Sequence, residues 1–302
     1  MRFSFSQLSM FNQCNLKWKF RYIDKLPQKF NIALVKGSLI HSYIETLSDN
    51  LDILNILKIS KNIDILNTLK NNPNLDTLEN LEITENFENF IKSLNLDTDF
   101  KKQCFNIALK FCISDYGYSI ISKNGINEYK IKLNENLEPC TENEKFVGFI
   151  DRVNTYFIDN SKNLDNSKNL DNSNTLDNSN TLDNSNTLDI SKNANKIQCV
   201  ELIDYKTGKY KEPKYQDFTQ LIIYAIYVFQ KFSKIQELKL RFVYVEHNLE
   251  NSLILTREYL ETHKNNIKEN MNLIESTTEF KPNFGVLCNW CDYQKECKSL
   301  NS

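Results

Sequence analysis

The pattern of apolar and polar residues alternates along the chain between helical and strand periodicity. In helical segments apolar residues recur every three or four positions, and in strand segments they alternate or run continuously. Helices are predicted over 6–22, 37–48, 100–115, 215–232 and 258–275. Strands are predicted over 127–133, 145–158, 197–205, 237–246 and 251–257. Because both types are mixed along one chain, the pattern indicates an α/β fold.

Two biased segments interrupt this pattern. Residues 50–98 are rich in Leu, Ile, Asn and Asp, with apolar residues at helical spacing before Pro73, so we expect a helical elaboration. From Asp159 a hexapeptide of the type DNSNTL repeats, with an aspartate every six residues up to Asp189. Asn, Asp and Ser compete with regular backbone structure, and short uncapped rungs would bury little as a solenoid. We therefore expect 159–193 to be a disordered or loosely ordered surface insertion that replaces a hairpin turn.

The composition limits the class of protein. The 302 residues, of which 40% are apolar and 12% aromatic, suffice for a single folded domain with a large core. No apolar run approaches the roughly 20 residues that span a bilayer, and the N-terminus lacks the apolar stretch of a signal peptide. We expect a soluble, cytoplasmic protein with no membrane partner. In that reducing compartment, clustered cysteines favour metal ligation over disulfides.

Charge is distributed unevenly along the chain. The formal net charge of −2 by itself argues against a nucleic-acid-binding protein. Residues 159–190 and 45–100, however, carry −4 and −7, so the rest of the chain carries +9. A basic core of this size can contact a phosphate backbone. The near-neutral total therefore does not exclude nucleic acid.

Two short stretches carry the candidate chemistry. The first contains Gly148-Phe-Ile-Asp151-Arg and the second Ile-Asp204-Tyr-Lys206-Thr-Gly-Lys, each after apolar residues. On a strand, Asp204 and Lys206 share a face. Two carboxylates on neighbouring strands can hold Mg²⁺, and a lysine beside them can act on an attacking water and stabilise charge on a phosphate. Taken alone, Asp-x-Lys on a strand is more often a surface ion pair.

The order of motifs resembles the RecB-like branch of the PD-(D/E)XK nucleases. The motifs are Gly37-x-x-x-His41, Gly148-x-Ile-Asp151, Asp204-x-Lys206 and Gln220-x-x-x-Tyr224. The resemblance covers 1–48, 127–158 and 196–302. It implies one nuclease domain over 1–302, with an α/β restriction-endonuclease-like core in which helices flank a central mixed sheet. The helical N-terminal elaboration and a Cys-rich C-terminal tail would be added to this core.

The resemblance also implies a metal site. Asp151 and Asp204 would bind Mg²⁺ or Mn²⁺, and Lys206 would act on the nucleophilic water. His41 would be a third ligand or would organise a metal-bound water. The backbone carbonyl of Tyr205 would also coordinate, since such oxygens suit Mg²⁺.

Substrate contacts are implied for the helix that follows. Gln220 and Tyr224 would bind near the catalytic lysine or the DNA backbone, although Tyr224 lies in an apolar helix where core packing is an equal alternative. Glu201 faces away from Asp204 on an ideal strand and receives no role. Glu128 is a weaker candidate without a clear role.

The tail over 281–302 is a candidate metal site of its own. Its C-x2-C-x5-C pattern comprises Cys288, Cys291 and Cys297. A tetrahedral zinc site or a cubane iron–sulfur cluster needs four ligands, so the fourth would come from elsewhere. Spacing does not choose among the remaining cysteines, which are Cys14, Cys104, Cys112, Cys140 and Cys199.

A further resemblance chooses Cys14 as the fourth ligand. In the AddB-like and CRISPR-associated exonucleases of this branch, one N-terminal cysteine and three C-terminal cysteines bind a 4Fe–4S cluster. Cys14 matches in position and aromatic context, with Asn15 where the family often has proline. The cluster would staple the chain ends together. Zinc, or four unligated thiols, are the alternatives.

Taken together, the motifs predict a divalent-metal-dependent DNA nuclease. The resemblance favours an exonuclease acting on single-stranded ends, in DNA repair or a related process. The sequence has no Gly-x-x-x-x-Gly-Lys-(Ser/Thr) phosphate loop, so a helicase, or a recombination or CRISPR subunit, would be a separate partner. The alternative is a catalytically inactive DNA-binding or scaffold subunit of a repair or recombination complex.

Overall fold

A computed structural model describes residues 1–59, 98–157 and 197–299. The strands are β1 (Gly125–Leu133), β2 (Phe146–Phe157), β3 (Ile197–Lys206), β4 (Glu237–Tyr244) and β5 (Leu249–Thr256). The helices are α1 (Phe5–Gln13), α2 (Asn15–Tyr22), α3 (Ile32–Ser48), α4 (Leu51–Ile59), α5 (Thr98–Ile113), α6 (Asp115–Ile121), α7 (Thr219–Lys231), α8 (Leu260–Ser276) and α9 (Gln294–Ser299). Short 3-10 turns cover Pro213–Tyr215, Arg257–Tyr259 and Val286–Trp290.

The five strands form one mixed sheet in the order β1-β2-β3-β4-β5. Neighbouring strands are antiparallel except β3 and β4, which are parallel. Helix α7 makes the crossover that a parallel pair requires. The predicted α/β fold, with a central mixed sheet flanked by helices, is confirmed.

Both faces of the sheet are covered by apolar cores. On one face, Leu202 of β3 and Leu240 of β4 pack in a cluster that includes residues of α1, α7 and α8. On the other face, Ile203 and Val243 pack with residues of α3, α5 and α6. Because successive side chains of a strand point to opposite faces, strands buried on both faces read as continuous apolar runs.

The predicted single helix over 6–22 is wrong at Cys14. This residue is extended, with φ −165° and ψ 113°, and it separates α1 from α2. Its Sγ accepts a hydrogen bond from the amide of Lys17 over 3.5 Å, which caps the start of α2. The break turns Leu16 and Phe20 of α2 towards a small apolar cluster with Tyr293 near the C-terminus.

The two predicted additions fall mostly outside the described residues. Helix α4 begins the predicted elaboration over 50–98, and the described chain resumes in α5. The tract over 159–193 connects β2 and β3, which pair antiparallel, so its predicted position between two strands is confirmed. The division into one nuclease domain with two additions and a cluster-binding tail stays a prediction.

Among the described helices, none combines the length and the apolar character that crossing a bilayer requires.

Candidate active site

The candidate site lies where β2 and β3 separate. Their ladder ends at the pair Arg152 and Ile203, and the next residue of each strand is an aspartate, Asp151 or Asp204. The backbone amide of Tyr205 donates a hydrogen bond of 2.7 Å to Asp151 Oδ2. The fork thus brings both predicted carboxylates to one end of the sheet.

Helix α3 supplies His41 to this fork. Its Nδ1 lies 3.3 Å from Asp151 Oδ2, and its ring meets that of Tyr205 edge-on at 6.1 Å. Burial by itself lowers the pKa of His41, but the charge and hydrogen bond of Asp151 outweigh it and raise the pKa to about 9. One turn earlier, a Cβ on Gly37 would lie 3.2 Å from Thr207 Oγ1. Glycine at this position therefore lets α3 approach the end of β3.

Asp204 holds a buried carboxylate beside the site lysine. The residue is 4% exposed, and Lys206 Nζ lies 2.5 Å from Asp204 Oδ2 in a close ion pair. Burial and then the charge of Asp151 raise the pKa of Asp204 to about 6, against the effect of Lys206. A divalent cation at this position would favour the ionised form of both carboxylates.

Helix α7 holds the lysine from the other side. Lys206 Nζ donates to Gln220 Oε1 over 3.5 Å, and Gln220 Nε2 donates to the hydroxyl of Tyr224 over 3.2 Å. The ammonium also lies 4.6 Å from the ring centroid of Phe242. Tyr224 is itself buried in the core cluster. Tyr224 therefore both packs in the core and connects to the site through Gln220.

Glycine 148 makes room for that tyrosine. A Cβ on Gly148 would lie 2.6 Å from Cε1 of Tyr224, closer than side chains approach. Beside the two residues, a groove of about 480 Å³ runs between the start of β2 and the N-terminal segment. Its lining residues are Arg2, Phe3, Ser4, Phe5, Ser6, Gln7, Val147, Gly148, Phe149, Gln220 and Tyr224.

Comparison with known families now decides the identity of the fold. A family model of the PD-(D/E)XK nuclease superfamily matches residues 2–161 and 188–298. The chain belongs to the PD-(D/E)XK nuclease superfamily. A search of curated proteins finds no match. The match confirms the predicted superfamily, and the unmatched stretch of 162–187 lies within the predicted insertion.

The PD-(D/E)XK assignment agrees with the fold and bears on the chemistry. The five-stranded mixed sheet flanked by helices is consistent with the predicted restriction-endonuclease-like core. Members of the superfamily are generally nucleolytic, use divalent metals and act on DNA. The RecB-like branch and the role of each site residue stay predictions.

Sequence reasoning left Glu128 without a role, yet the structure places it near the carboxylates of the candidate site. Its φ of 48° is left-handed, and it is skipped in the pairing of β1 with β2. Although the residue is exposed, partial desolvation of the carboxylate, followed by the charges of Asp151 and Glu45, raises its pKa to about 7. A single left-handed residue inside a strand cannot be recognised from the sequence, because glycine is the residue type that normally marks this conformation.

Arg152 stabilises the strand that carries Asp151 from the opposite face of the sheet. Its guanidinium donates to the carbonyls of Ile121 and Lys123, both over 2.8 Å. It also donates to Asn127 Oδ1 over 2.9 Å and to Asn154 Oδ1 over 2.7 Å. This residue follows Asp151 directly, so its bonds to α6 and β1 hold the strand that carries the carboxylate. In the sequence, the position of Arg152 at the end of the Gly-x-Ile-Asp-Arg motif indicates this role.

The two ends of the chain lie close together around Cys14. The amide of Asn283 donates to Cys14 Sγ over 3.4 Å, and Cys288 Sγ lies 3.8 Å from the carbonyl of Asn283. Cys14, Cys291 and Cys297 pack against the apolar cluster around Tyr293.

Metal binding by these cysteines is not shown. Desolvation, followed by the charges of Cys14, Cys291 and Cys288, raises the pKa of the Cys297 thiol. Within the described chain, none of Cys14, Cys288, Cys291 and Cys297 forms a disulfide. Across 1–59, 98–157 and 197–299, no three His, Cys, Asp or Glu side chains already stand in the arrangement of a metal site. The iron–sulfur cluster stays a prediction.

Proposed function

We propose that the protein is a divalent-metal-dependent DNA nuclease that hydrolyses phosphodiester bonds. The observation that carries the proposal is the pair of carboxylates Asp151 and Asp204, which the structure brings to one end of the β2–β3 ladder, with Lys206 Nζ 2.5 Å from Asp204 Oδ2. Asp151, Asp204 and the carbonyl of Tyr205 offer the oxygen ligands that Mg²⁺ and Mn²⁺ prefer. His41 adds a nitrogen 3.3 Å from Asp151 Oδ2. Such an ion, when bound, would polarise the phosphate and lower the pKa of the attacking water.

The chain's own residues would orient the reaction. Lys206 would hold the attacking water and stabilise the negative charge that develops on the phosphate as the bond to the leaving oxygen breaks. Gln220 would keep the ammonium in place, because its Oε1 accepts from Lys206. The amide of Tyr205 would keep Asp151 directed into the fork.

A nuclease assay with metal titration tests this proposal. Labelled single-stranded and double-stranded DNA would be incubated with the purified protein in EDTA, Mg²⁺ and Mn²⁺. We expect cleavage only with metal, and its loss in the Asp204→Asn variant. Binding without cleavage at every metal concentration would contradict the proposal and favour the inactive scaffold subunit.

We also propose exonuclease action on single-stranded ends, which the resemblance to RecB-like nucleases supports. Circular single-stranded DNA is the matched substrate, because it has the same backbone and no ends. An exonuclease would degrade the linear strand and leave the circle intact. Equal degradation of both would identify an endonuclease. A helicase, recombination or CRISPR subunit would be a separate partner, and a pull-down from cells would find it.

The cysteines at the two chain ends are proposed to bind a 4Fe–4S cluster that staples the termini. The closeness of Cys14 to the C-terminal cysteines supports this proposal. Cys14, Cys291 and Cys297 pack against one apolar cluster, and Cys288 is near enough to act on the pKa of Cys297, so the four thiols match the ligand number of a cubane. Anaerobic purification followed by a visible absorption spectrum and by iron, sulfide and zinc analysis tests it. Iron with sulfide, lost in Cys14→Ser and kept in Cys140→Ser, is expected. Zinc would support the alternative metal, and a metal-free protein would contradict both.

A further inference from the structure

Strand β2 carries an exposed aromatic ring close to the candidate site. Phe146, Gly148 and Ile150 are buried on the α7 side of the sheet, so Phe149, which alternates with them, points to the other face. The residue is 47% exposed. The described helices on that face pack on residues of β3 and β4 such as Ile203. They leave this part of β2 open to a ligand.

A lysine accompanies the exposed ring. Lys130 of β1 pairs directly with Phe149 in the ladder, and its ammonium lies 5.5 Å from the ring centroid. Within the described chain, no carboxylate forms an ion pair with Lys130. Lys132, the next residue on the same face of β1, donates to the carbonyl of Thr141 over 3.1 Å and lies 3.7 Å from Glu144. This open face of β1 and β2 therefore presents an aromatic ring beside two positively charged lysines.

Strand β2 also brings this ring close to the carboxylates. Phe149 lies two residues before Asp151 on β2, so their backbones are roughly 7 Å apart along the strand. A nucleic-acid strand whose phosphate reaches Asp151 would pass over Phe149 with a neighbouring nucleotide. In a duplex, base faces are covered by the stack, whereas in a single strand they are free to stack on protein rings.

We propose that Phe149 and Lys130 form a stacking platform for a base of single-stranded DNA. The ring contacts the face of the base, and Lys130 and Lys132 contact the adjoining phosphates. The inference rests on the proposed nuclease function and deepens it by naming the unpaired strand as the form bound next to the carboxylates. The aromatic ring and the positive charge match this ligand together, since single-strand binding combines base stacking with backbone electrostatics.

Binding measured without catalysis tests the platform. The anisotropy of a fluorescein-labelled single-stranded oligonucleotide would be followed in EDTA, with the full-length protein. Phe149→Leu is expected to weaken binding about tenfold, and Phe149→Trp is expected to bind like the wild type because the ring is retained. On an oligonucleotide of abasic sites, which keeps the phosphates, wild type and Phe149→Leu should bind alike. Lys130→Gln should lower the salt slope by about 0.7.

Tyr259→Leu is the matched control. This residue is 54% exposed and follows β5 at the end of the sheet where Glu237 pairs with Thr256, whereas the carboxylates lie towards the other end. The control should bind like the wild type. A loss equal to that of Phe149→Leu, or a Phe149→Leu loss that persists on abasic DNA, would overturn the platform, as would unchanged binding by Phe149→Leu.

The two proposals fail in different ways. Phe149-dependent binding without cleavage in Mg²⁺ or Mn²⁺ would overturn the nuclease function and support the platform. Cleavage with binding that ignores Phe149 would overturn the platform alone. A wild type that binds a protein partner but no single-stranded DNA would also overturn it. Thermal unfolding of each variant checks that an exposed substitution has left the fold intact.

Discussion

The backbone amide of Tyr205 donates a hydrogen bond of 2.7 Å to the side chain of Asp151. The two residues lie on different strands, immediately beyond the last pair of the β2–β3 ladder. The bond therefore takes the place of the next ladder contact and ties a side chain of β2 to the backbone of β3. It keeps the carboxylate of Asp151 at the fork, beside Asp204, before any ligand arrives.

Loss of the site lysine should abolish cleavage without unfolding the protein. Lys206→Ala is expected to lower the cleavage rate by about 100-fold or more, which is the usual contribution of a positioned acid–base group. Lys209→Ala, in the exposed loop just beyond, is the matched control and should cleave like the wild type. Thermal unfolding should show that both variants are folded at the temperature of the assay. Equal activity in the two variants would contradict the role of Lys206.

A methyl group added at Gly148 should destabilise the folded protein. It would lie 2.6 Å from Cε1 of Tyr224, so the ring or the strand must move. We expect Gly148→Ala to lower the free energy of unfolding by about 1–3 kcal/mol, as overpacking does. Gly208→Ala is the control, because nothing lies within 4 Å of its added Cβ, and it should be neutral or stabilising by up to about 1 kcal/mol. Denaturant unfolding of both variants measures the difference, and equal values would refute this packing.

Acid should destabilise the protein through a buried ion pair behind the site. Arg241 NH1 lies 3.0 Å from Glu201 Oε2. Burial by itself would raise the pKa of Glu201, but the charge of Arg241 outweighs it and lowers the pKa; the pKa of Glu250 is lowered as well. The stabilisation is thus complete above the unfolded pKa of about 4.3 and is lost as pH falls through the lower folded values. Urea unfolding from pH 7 to pH 3 should show this loss.

Removal of the Glu201 carboxylate should make the free energy of unfolding depend less on acid pH. Glu201→Gln is expected to cost about 3 kcal/mol at pH 7, because breaking a buried pair leaves Arg241 with less compensation. Its unfolding free energy should then fall less between pH 5 and pH 3 than that of the wild type. Glu237→Gln, at an exposed position of β4, should keep the wild-type slope. The same slope in both variants would argue against the pair.

Arg152 should not tolerate lysine. Its buried guanidinium makes four hydrogen bonds, two of them to backbone carbonyls. The ammonium group of lysine does not reproduce this planar arrangement of donors. Arg152→Lys is expected to lower the free energy of unfolding by about 3 kcal/mol, since buried acceptors lose their donors. Arg2→Lys, whose side chain is 67% exposed, should change it by less than about 0.5 kcal/mol. Chemical denaturation compares the two.

Local periodicity explains which elements were predicted well. The strand over 197–205 and the helix over 258–275 agree with β3 and α8 to within two residues, because the spacing of apolar residues reports directly which side chains face a core. The helix over 6–22 failed at Cys14 because its apolar spacing continues across the break. Only the docking of α2 against the C-terminal residue Tyr293 reveals why the chain turns there.

The sequence by itself determined the order of elements and the motif residues, because the spacing of apolar residues and the sequence of His41, Asp151, Asp204 and Lys206 are local properties of the chain. Tertiary structure alone decided which of them meet. His41 reaches Asp151 across more than a hundred residues, and Phe149 is left exposed two residues before Asp151. Strand register and helix docking set these relations, and both depend on the packing of the whole chain rather than on any one segment.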